Sequence, residues 1–227
     1  MTSEEVKRNV GLYAVNFVKH GMIIGLGSGT TVYWFIHELG KRVQQGLSVR
    51  GVPTSAKTNQ LAVEAGIPIS DLNDTNGLSL AIDGADEIDP KGNLIKGGGG
   101  ALLQEKIVAQ ASGEVIIIAD NSKLVDQLGR FPLPVEVIPF GYKNIQQTII
   151  STGLCNKIKL RKKDNQVFVT DQGHYILDCE FENIADALAL NISLHLIPGV
   201  VETGLFIDMA DKAVIGYTDG RIEVRKF

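Results

Sequence analysis

Three short loops hold the residue types that do chemistry. The first reads Gly25-Leu26-Gly27-Ser28-Gly29-Thr30-Thr31, between an apolar run and an amphipathic stretch. A strand, glycine loop and helix in that order point backbone N–H groups at an anion. The helix dipole adds to the attraction, and Ser28, Thr30 and Thr31 add hydroxyls. The loop reads as a phosphate cradle or, equally, as a tight turn with a helix cap. A dinucleotide fingerprint would place its third glycine where Thr30 stands, and no Gly-Lys-Ser/Thr follows to make a P-loop.

The second loop, Asp83-Gly84-Ala85-Asp86-Glu87-Ile88-Asp89, packs four carboxylates into seven residues. They repel one another unless solvated, paired or used, and their spacing does not match a calcium loop. The third, Lys96-Gly97-Gly98-Gly99-Gly100, opens a helical stretch that carries Glu105 and Lys106. Four consecutive glycines are costly in backbone entropy unless the loop needs unusual torsions or bare N–H groups. A fourth post-strand segment, Asp120-Asn121-Ser122-Lys123, adds a cation. Together these loops offer an anion cradle, carboxylates, lysines and amide donors. That set suits proton transfer beside a carbonyl in a small phosphorylated substrate.

The elements that position these loops alternate. Residues 1–130 read as helices and continuous apolar strands, the pattern of a parallel sheet covered on both faces. Each of the three loops follows a predicted strand, so all three are expected at the carboxyl edge of that sheet, where open α/β sheets bind ligands. After Gly129 the texture changes, and Phe131-Pro132-Leu133-Pro134 reads as a boundary. Beyond it come a strand at 135–138, a helix at 142–151, β-like stretches at 157–160, 166–170 and 175–177, a helix at 184–196 and a strand at 200–206. That approximates β-α-β-β-α-β, the split motif of ferredoxin-like domains. The runs 213–217 and 222–225 are short strands that return to the first domain. The expected architecture is α/β: a Rossmann-like parallel sheet domain (1–130 plus 205–227) with a second, smaller ferredoxin-like α+β domain (131–204).

Composition narrows the function classes. Of 227 residues, 44% are hydrophobic, enough for a packed core and too many for a disordered chain. The formal net charge is −4, and no basic run exceeds Arg161-Lys162-Lys163, which argues against nucleic acid as a partner. No apolar run reaches the length of a membrane span. The acidic start, Thr2 to Lys7, does not read as a secretory leader. Cys155 and Cys179 match no metal or redox spacing, and His20, His37, His174 and His195 read as structural. A cytoplasmic protein without metal or cofactor is the expectation.

The three loops, together with Gly129-Arg130-Phe131-Pro132-Leu133-Pro134-Val135-Glu136-Val137, resemble the type A ribose-5-phosphate isomerase family over essentially the whole chain. Departures are small: a fourth glycine at Gly100, where the family often has Ala, and Ser28-Gly29-Thr30-Thr31 in the first loop. The resemblance implies interconversion of D-ribose 5-phosphate and D-ribulose 5-phosphate through an enediolate, in the non-oxidative pentose phosphate pathway. It implies Glu105 as general base, Lys96 and the N–H groups of Gly97, Gly98 and Gly99 as enediolate stabilisers, and Asp83 and Asp86 at the hydroxyls and the furanose ring. Gly84 and Ala85, in the same loop, would bind substrate with them. Ser28, Gly29, Thr30 and Thr31 would hold one end of the substrate, which the anion argument makes the phosphate. Lys123 would bind substrate, with Lys7 a further candidate, and a homodimer or tetramer is implied. A non-catalytic sugar-phosphate sensor and a nucleotide-dependent dehydrogenase remain the alternatives. Against the first stand the retained Glu105 and Lys96 and the lack of a basic N-terminal segment; against the second stands the missing third glycine.

Overall fold

Helix α1 (Ser3–Ala14) starts where the sequence places a capping box. The Thr2 hydroxyl accepts from the Glu5 N–H, and the Glu5 carboxylate accepts from the Thr2 N–H. Its buried Val6, Val10 and Ala14 recur at helical spacing and form one apolar stripe. The computed structural model describes residues 1–227. These fall into two units: Met1–Ala85, Gln104–Lys123 and Asp208–Phe227 form the first, Asp86–Leu103 and Leu124–Ile207 the second.

In the first unit, strands β1 (Ile23–Leu26), β2 (Arg50–Pro53), β3 (Leu80–Asp83), β6 (Val115–Asp120), β14 (Lys212–Gly216) and β15 (Ile222–Lys226) form one sheet in the order β15-β14-β6-β3-β1-β2. All neighbours are parallel except the edge pair β14–β15. Strand β6, Val-Ile-Ile-Ile-Ala-Asp, is buried at every position, as a strand covered on both faces must be. Helices α2 (Thr30–Gln44), α3 (Ala56–Glu64) and α4 (Leu102–Gln110) complete the layers. The order reverses at β1, whose neighbours are β2 and β3, so the crevice for a ligand lies at the carboxyl ends of β1 and β3.

In the second unit, β7 (Leu133–Val137), β8 (Ile158–Leu160), β11 (Tyr175–Cys179) and β12 (Val200–Thr203) form an antiparallel sheet ordered β12-β7-β11-β8. With α5 (Tyr142–Ser151) and α6 (Ala187–His195) the chain order is β-α-β-β-α-β, the expected split motif. Short strands β9 (Lys162–Lys163) and β10 (Gln166–Val167) make a hairpin. A separate three-stranded sheet joins β4 (Glu87–Ile88), β5 (Leu94–Ile95) and β13 (Leu205–Phe206).

That small sheet changes two expectations. Residues 86–103 group with the second unit, because β5 pairs antiparallel with β4 and β13; residues 124–130 and 205–207 group with it as well. The single strand expected over 200–206 is two strands in two sheets, broken at Gly204. The histidines take structural partners: His174 Nδ1 lies 3.0 Å from Glu136 Oε1, His195 Nε2 2.9 Å from Glu202, and His20 Nδ1 accepts from the Ser48 N–H. No helix is long and apolar enough to cross a membrane.

Candidate active site

The first loop leaves β1 at Leu26 and enters α2 at Thr30. Gly29 is its N-cap, at φ 109°, and no side chain caps the helix. The first-turn amides of a 15-residue helix are thus left to a ligand or water, with the positive end of the dipole behind them. Thr30 is exposed and Thr31 buried at the start of the helix. Ser28 has a different job. Its N–H donates to Asp83 Oδ1 at 2.9 Å, and its hydroxyl meets those of Thr54, Ser55 and Thr58 at 3.0–3.2 Å. Those bonds hold the loop's shape. A cleft of about 260 Å³ opens beside it, with Gly29, Thr30, Ser55 and Lys57 among its walls.

The four carboxylates of the second loop are sorted by their amide partners. Asp83, at the end of β3, accepts from the N–H groups of Ser28 and Gly84 through Oδ1. Asp86 Oδ2 accepts from the Gly98 N–H at 2.8 Å. Glu87 is 1% exposed and accepts from the Gly129 and Phe131 N–H groups at 2.8 and 2.6 Å, a structural clamp on the chain entering β7. Asp89 accepts from Lys91 and Asn93 and closes the β4–β5 turn. All four carboxylates therefore hold backbone amides, and Glu87 is the most deeply buried of them. Gly84 and Ala85 lie half-buried between Asp83 and Asp86.

The third loop does not sit on the parallel sheet. It follows β5, an antiparallel strand of the small sheet, because a two-residue apolar run carries no signal of strand direction. Lys96 is buried, with its Nζ 5.3 Å from the centre of the Phe206 ring. Gly97 and Gly100 adopt φ of 100° and 85° and are joined by a Gly100 N–H to Gly97 carbonyl bond, so the glycines form a defined turn and not a flexible linker. Gly98 has no such torsion; its N–H is taken by Asp86. Gly99 is exposed, with open space at its α-carbon.

Glu105 lies in the first turn of α4 and is buried. The path of α4 fixes which edge it reaches. The Ala111 carbonyl accepts from Leu78, at the amino end of β3. One turn earlier, Val108 packs on β1 so closely that a methyl on Gly25 would stand 2.4 Å from Val108 Cγ1. Gly25 is in register with Ala81. The helix therefore runs from the carboxyl edge of the sheet back to the amino edge. Glu105, on the same face as Val108, lies about 4.5 Å further along the axis, toward Asp83 and the start of α2. Lys123, itself half-buried, ends an otherwise exposed turn at the carboxyl end of β6, where Asp120 accepts from Ser122. Lys7 belongs to α1, whose Val6 and Val10 pack on Gly216 at the carboxyl end of β14.

Two groups escape a reading of the sequence. Ser55, Lys57 and Thr58 form another hydroxyl-rich segment after a strand, a signal that was present in Thr54-Ser55-Ala56-Lys57-Thr58. Arg161 donates to the carbonyls of Gly97 and Gly98, and nothing local marks it.

The family model described as Ribose 5-phosphate isomerase A (phosphoriboisomerase A) matches residues 50–220. The chain belongs to the ribose 5-phosphate isomerase A family. It is 54% identical over 216 residues to the Ribose-5-phosphate isomerase A of Bacillus mycoides (strain KBAB4), covering 95% of this chain and 97% of that one. Among solved structures, the ribose 5-phosphate isomerase of Plasmodium falciparum superposes with a TM-score of 0.96 at 36% identity, over 99% of both chains. A D-ribose-5-phosphate isomerase in complex with phospho-erythronic acid does so with a TM-score of 0.94 at 40% identity, over all of both chains. The α/β fold is that of these isomerases, and as a member of the family the chain is an isomerase acting on ribose 5-phosphate.

Proposed function

We propose that this isomerase interconverts D-ribose 5-phosphate and D-ribulose 5-phosphate by proton transfer through an enediolate, with Glu105 as the base. Asp83 and Asp86 hold substrate hydroxyls and assist opening of the furanose ring. The Glu105 carboxylate removes the proton from C2 of the open-chain aldose, and the electron pair moves onto the C1 oxygen. Lys96 and the N–H groups of Gly97 and Gly99 stabilise that oxygen, the Gly98 N–H being given to Asp86. Protonated Glu105 then delivers a proton to C1, while the proton of the C2 hydroxyl passes to the C1 oxygen, leaving the ketone at C2 and a hydroxyl at C1. The phosphate rests on the first turn of α2 and Thr30, with Lys123 and Lys7 as the nearby cations.

The observation that carries this reading is the direction of α4, which takes a buried carboxylate to the sheet edge shared by Asp83 and the uncapped start of α2. A carboxylate serves as base and then acid without leaving its place. The phospho-erythronic acid bound by one structural neighbour supports the same reading. It is a phosphorylated acid whose planar, anionic carboxylate resembles an enediolate. The family likeness further supports a place in the non-oxidative pentose phosphate pathway and a homodimeric or tetrameric assembly.

Ribose 5-phosphate deuterated at C2 tests the mechanism. Turnover without added nicotinamide, slowed by the deuterium and accompanied by loss of label to water, is expected. Complete retention of the label at C1 of the product would indicate a hydride shift and overturn the enediolate. No turnover at all would favour a non-catalytic sugar-phosphate binder.

A further inference from the structure

The geometry points to Arg161 as the positioning residue of the glycine turn: its guanidinium, anchored on Asp178, fixes the Gly97 and Gly98 carbonyls and so the direction of the turn's N–H groups. Nη1 donates to the Gly97 carbonyl at 2.6 Å and to the Gly98 carbonyl at 3.3 Å. Nε and Nη2 grip the two oxygens of Asp178, a bidentate pair. The guanidinium carbon lies 6.0 Å from the centre of the Phe168 ring, and that ring backs onto Gly100, where a methyl would stand 2.4 Å from it. The backbone of Arg161 is pinned as well: its N–H donates to the Ile176 carbonyl, and its carbonyl accepts from the Phe168 N–H. The side chain is only 13% exposed.

The physical consequence concerns peptide planes. Each carbonyl is rigidly opposed to the N–H of the following residue. Holding the carbonyls of Gly97 and Gly98 therefore sets where the N–H groups of Gly98 and Gly99 point. The Gly98 N–H meets Asp86 Oδ2, so the same clamp also sets that carboxylate. Glycine does not hold such an orientation by itself, because its torsions are the freest of any residue. Arg161 supplies the missing rigidity without touching the reacting atoms. A Lys would not substitute, since a single ammonium lacks the planar fork that reaches Asp178 and the carbonyls together.

This inference rests on the proposed role of the turn in holding the enediolate oxygen. The experiment measures wild-type turnover of ribose 5-phosphate first, because its absence would refute that role and not the clamp. Arg161→Ala and Arg161→Lys are then assayed for kcat, KM and inhibition by phospho-erythronic acid. A misplacement of about 1 Å can cost on the order of 10²-fold in rate. The expected result is a fall in kcat of roughly 10- to 100-fold, KM within about threefold, and weaker inhibition in step with kcat/KM. Added guanidinium should restore part of the lost rate to the Ala variant. A folded Arg161→Ala protein with kcat within about threefold of wild type would overturn the proposal. Unchanged inhibition alongside a fallen kcat would overturn it too. Should that variant not fold, Asp178→Asn decides by the same measurements, since it loosens the fork while keeping its shape.

Discussion

The Gly98 N–H donates to Asp86 Oδ2 at 2.8 Å, and a methyl on Gly98 would stand 2.8 Å from Asp86 Oδ1. The constraint at Gly98 is close approach to the Asp86 carboxylate and not torsion, because Gly98 lies outside the left-handed region. The two motifs that stand out most in the sequence, the acidic loop and the glycine turn, are thus joined through one amide.

Gly98→Val should therefore abolish activity in a folded protein. The added carbons would push the Asp86 carboxylate away from the residue 98 amide. Steady-state turnover and a thermal melt check this. A variant melting near wild type with more than about a tenth of its kcat would show that Asp86 need not be held for catalysis.

Gly27→Ala tests the other end of the acidic loop. A methyl there would lie 2.1 Å from Asp83 Oδ1 and 2.5 Å from Asp83 Cα, so backbone must move. Overpacking of this kind costs about 1–3 kcal/mol, and the Ser28 N–H bond to Asp83 would be lost with it. A lowered urea midpoint together with a fall in kcat/KM of at least about tenfold is expected. Unchanged values of both would mean that the β1 loop yields without cost.

Glu87→Gln should separate folding from catalysis among the four carboxylates. Glu87 is buried and holds two amides, Gly129 and Phe131. Hydrogen bonds to a charged group contribute about 1.5–3 kcal/mol. Loss of the charge should lower stability by roughly 2 kcal/mol in urea titration while leaving kcat per folded molecule within about twofold. A large fall in kcat with no change in midpoint would move Glu87 into the catalytic set.

What the sequence made legible follows from what local pattern encodes. Helix α5 lies at Tyr142–Ser151 as its apolar period predicts, and the β-α-β-β-α-β order of the second unit follows from counting elements. The β1 loop was readable because strand, glycines and helix are contiguous. The four carboxylates could not be sorted, because their partners are amides that the fold brings in, as Gly129 is to Glu87. Arg161 was invisible for the same reason: its acceptors are carbonyls 64 and 63 residues away, and a backbone carbonyl leaves no mark in sequence. Sequence alone puts the glycine turn on the parallel sheet, because Leu94-Ile95 is too short to show which way its neighbours run.

Lys123→Ala should weaken binding of phosphorylated substrate more than the chemical step. Lys123 lies at the carboxyl end of β6, next to β3 in the sheet, half-buried in its turn. On the proposed reading its charge acts on the substrate dianion through partly screened space, so KM should rise and the rise should shrink at high salt. A wild-type KM at low ionic strength would make Lys123 a solvated surface lysine.

Glu105→Gln is the sharpest test of the mechanism. Isomerisation needs one group that takes a proton from carbon and returns it to the neighbouring carbon. Gln keeps the size of Glu105 and much of its hydrogen bonding, but it cannot accept that proton. The helix that carries residue 105 is fixed by contacts the substitution does not touch, Val108 on Gly25 and Ala111 on Leu78, so the fold should survive. Loss of a general base costs on the order of 10²- to 10⁴-fold in kcat. KM should change little, because the hydroxyl and phosphate contacts are assigned to other residues. With the C2-deuterated sugar, the variant should also cease to release label to water. Retention of more than about a tenth of wild-type kcat, far above the range a lost base allows, would remove Glu105 from the role. The base would then have to be sought in Asp83 or Asp86; Asp83 is buried at the same edge, and its Oδ1 accepts from two amides.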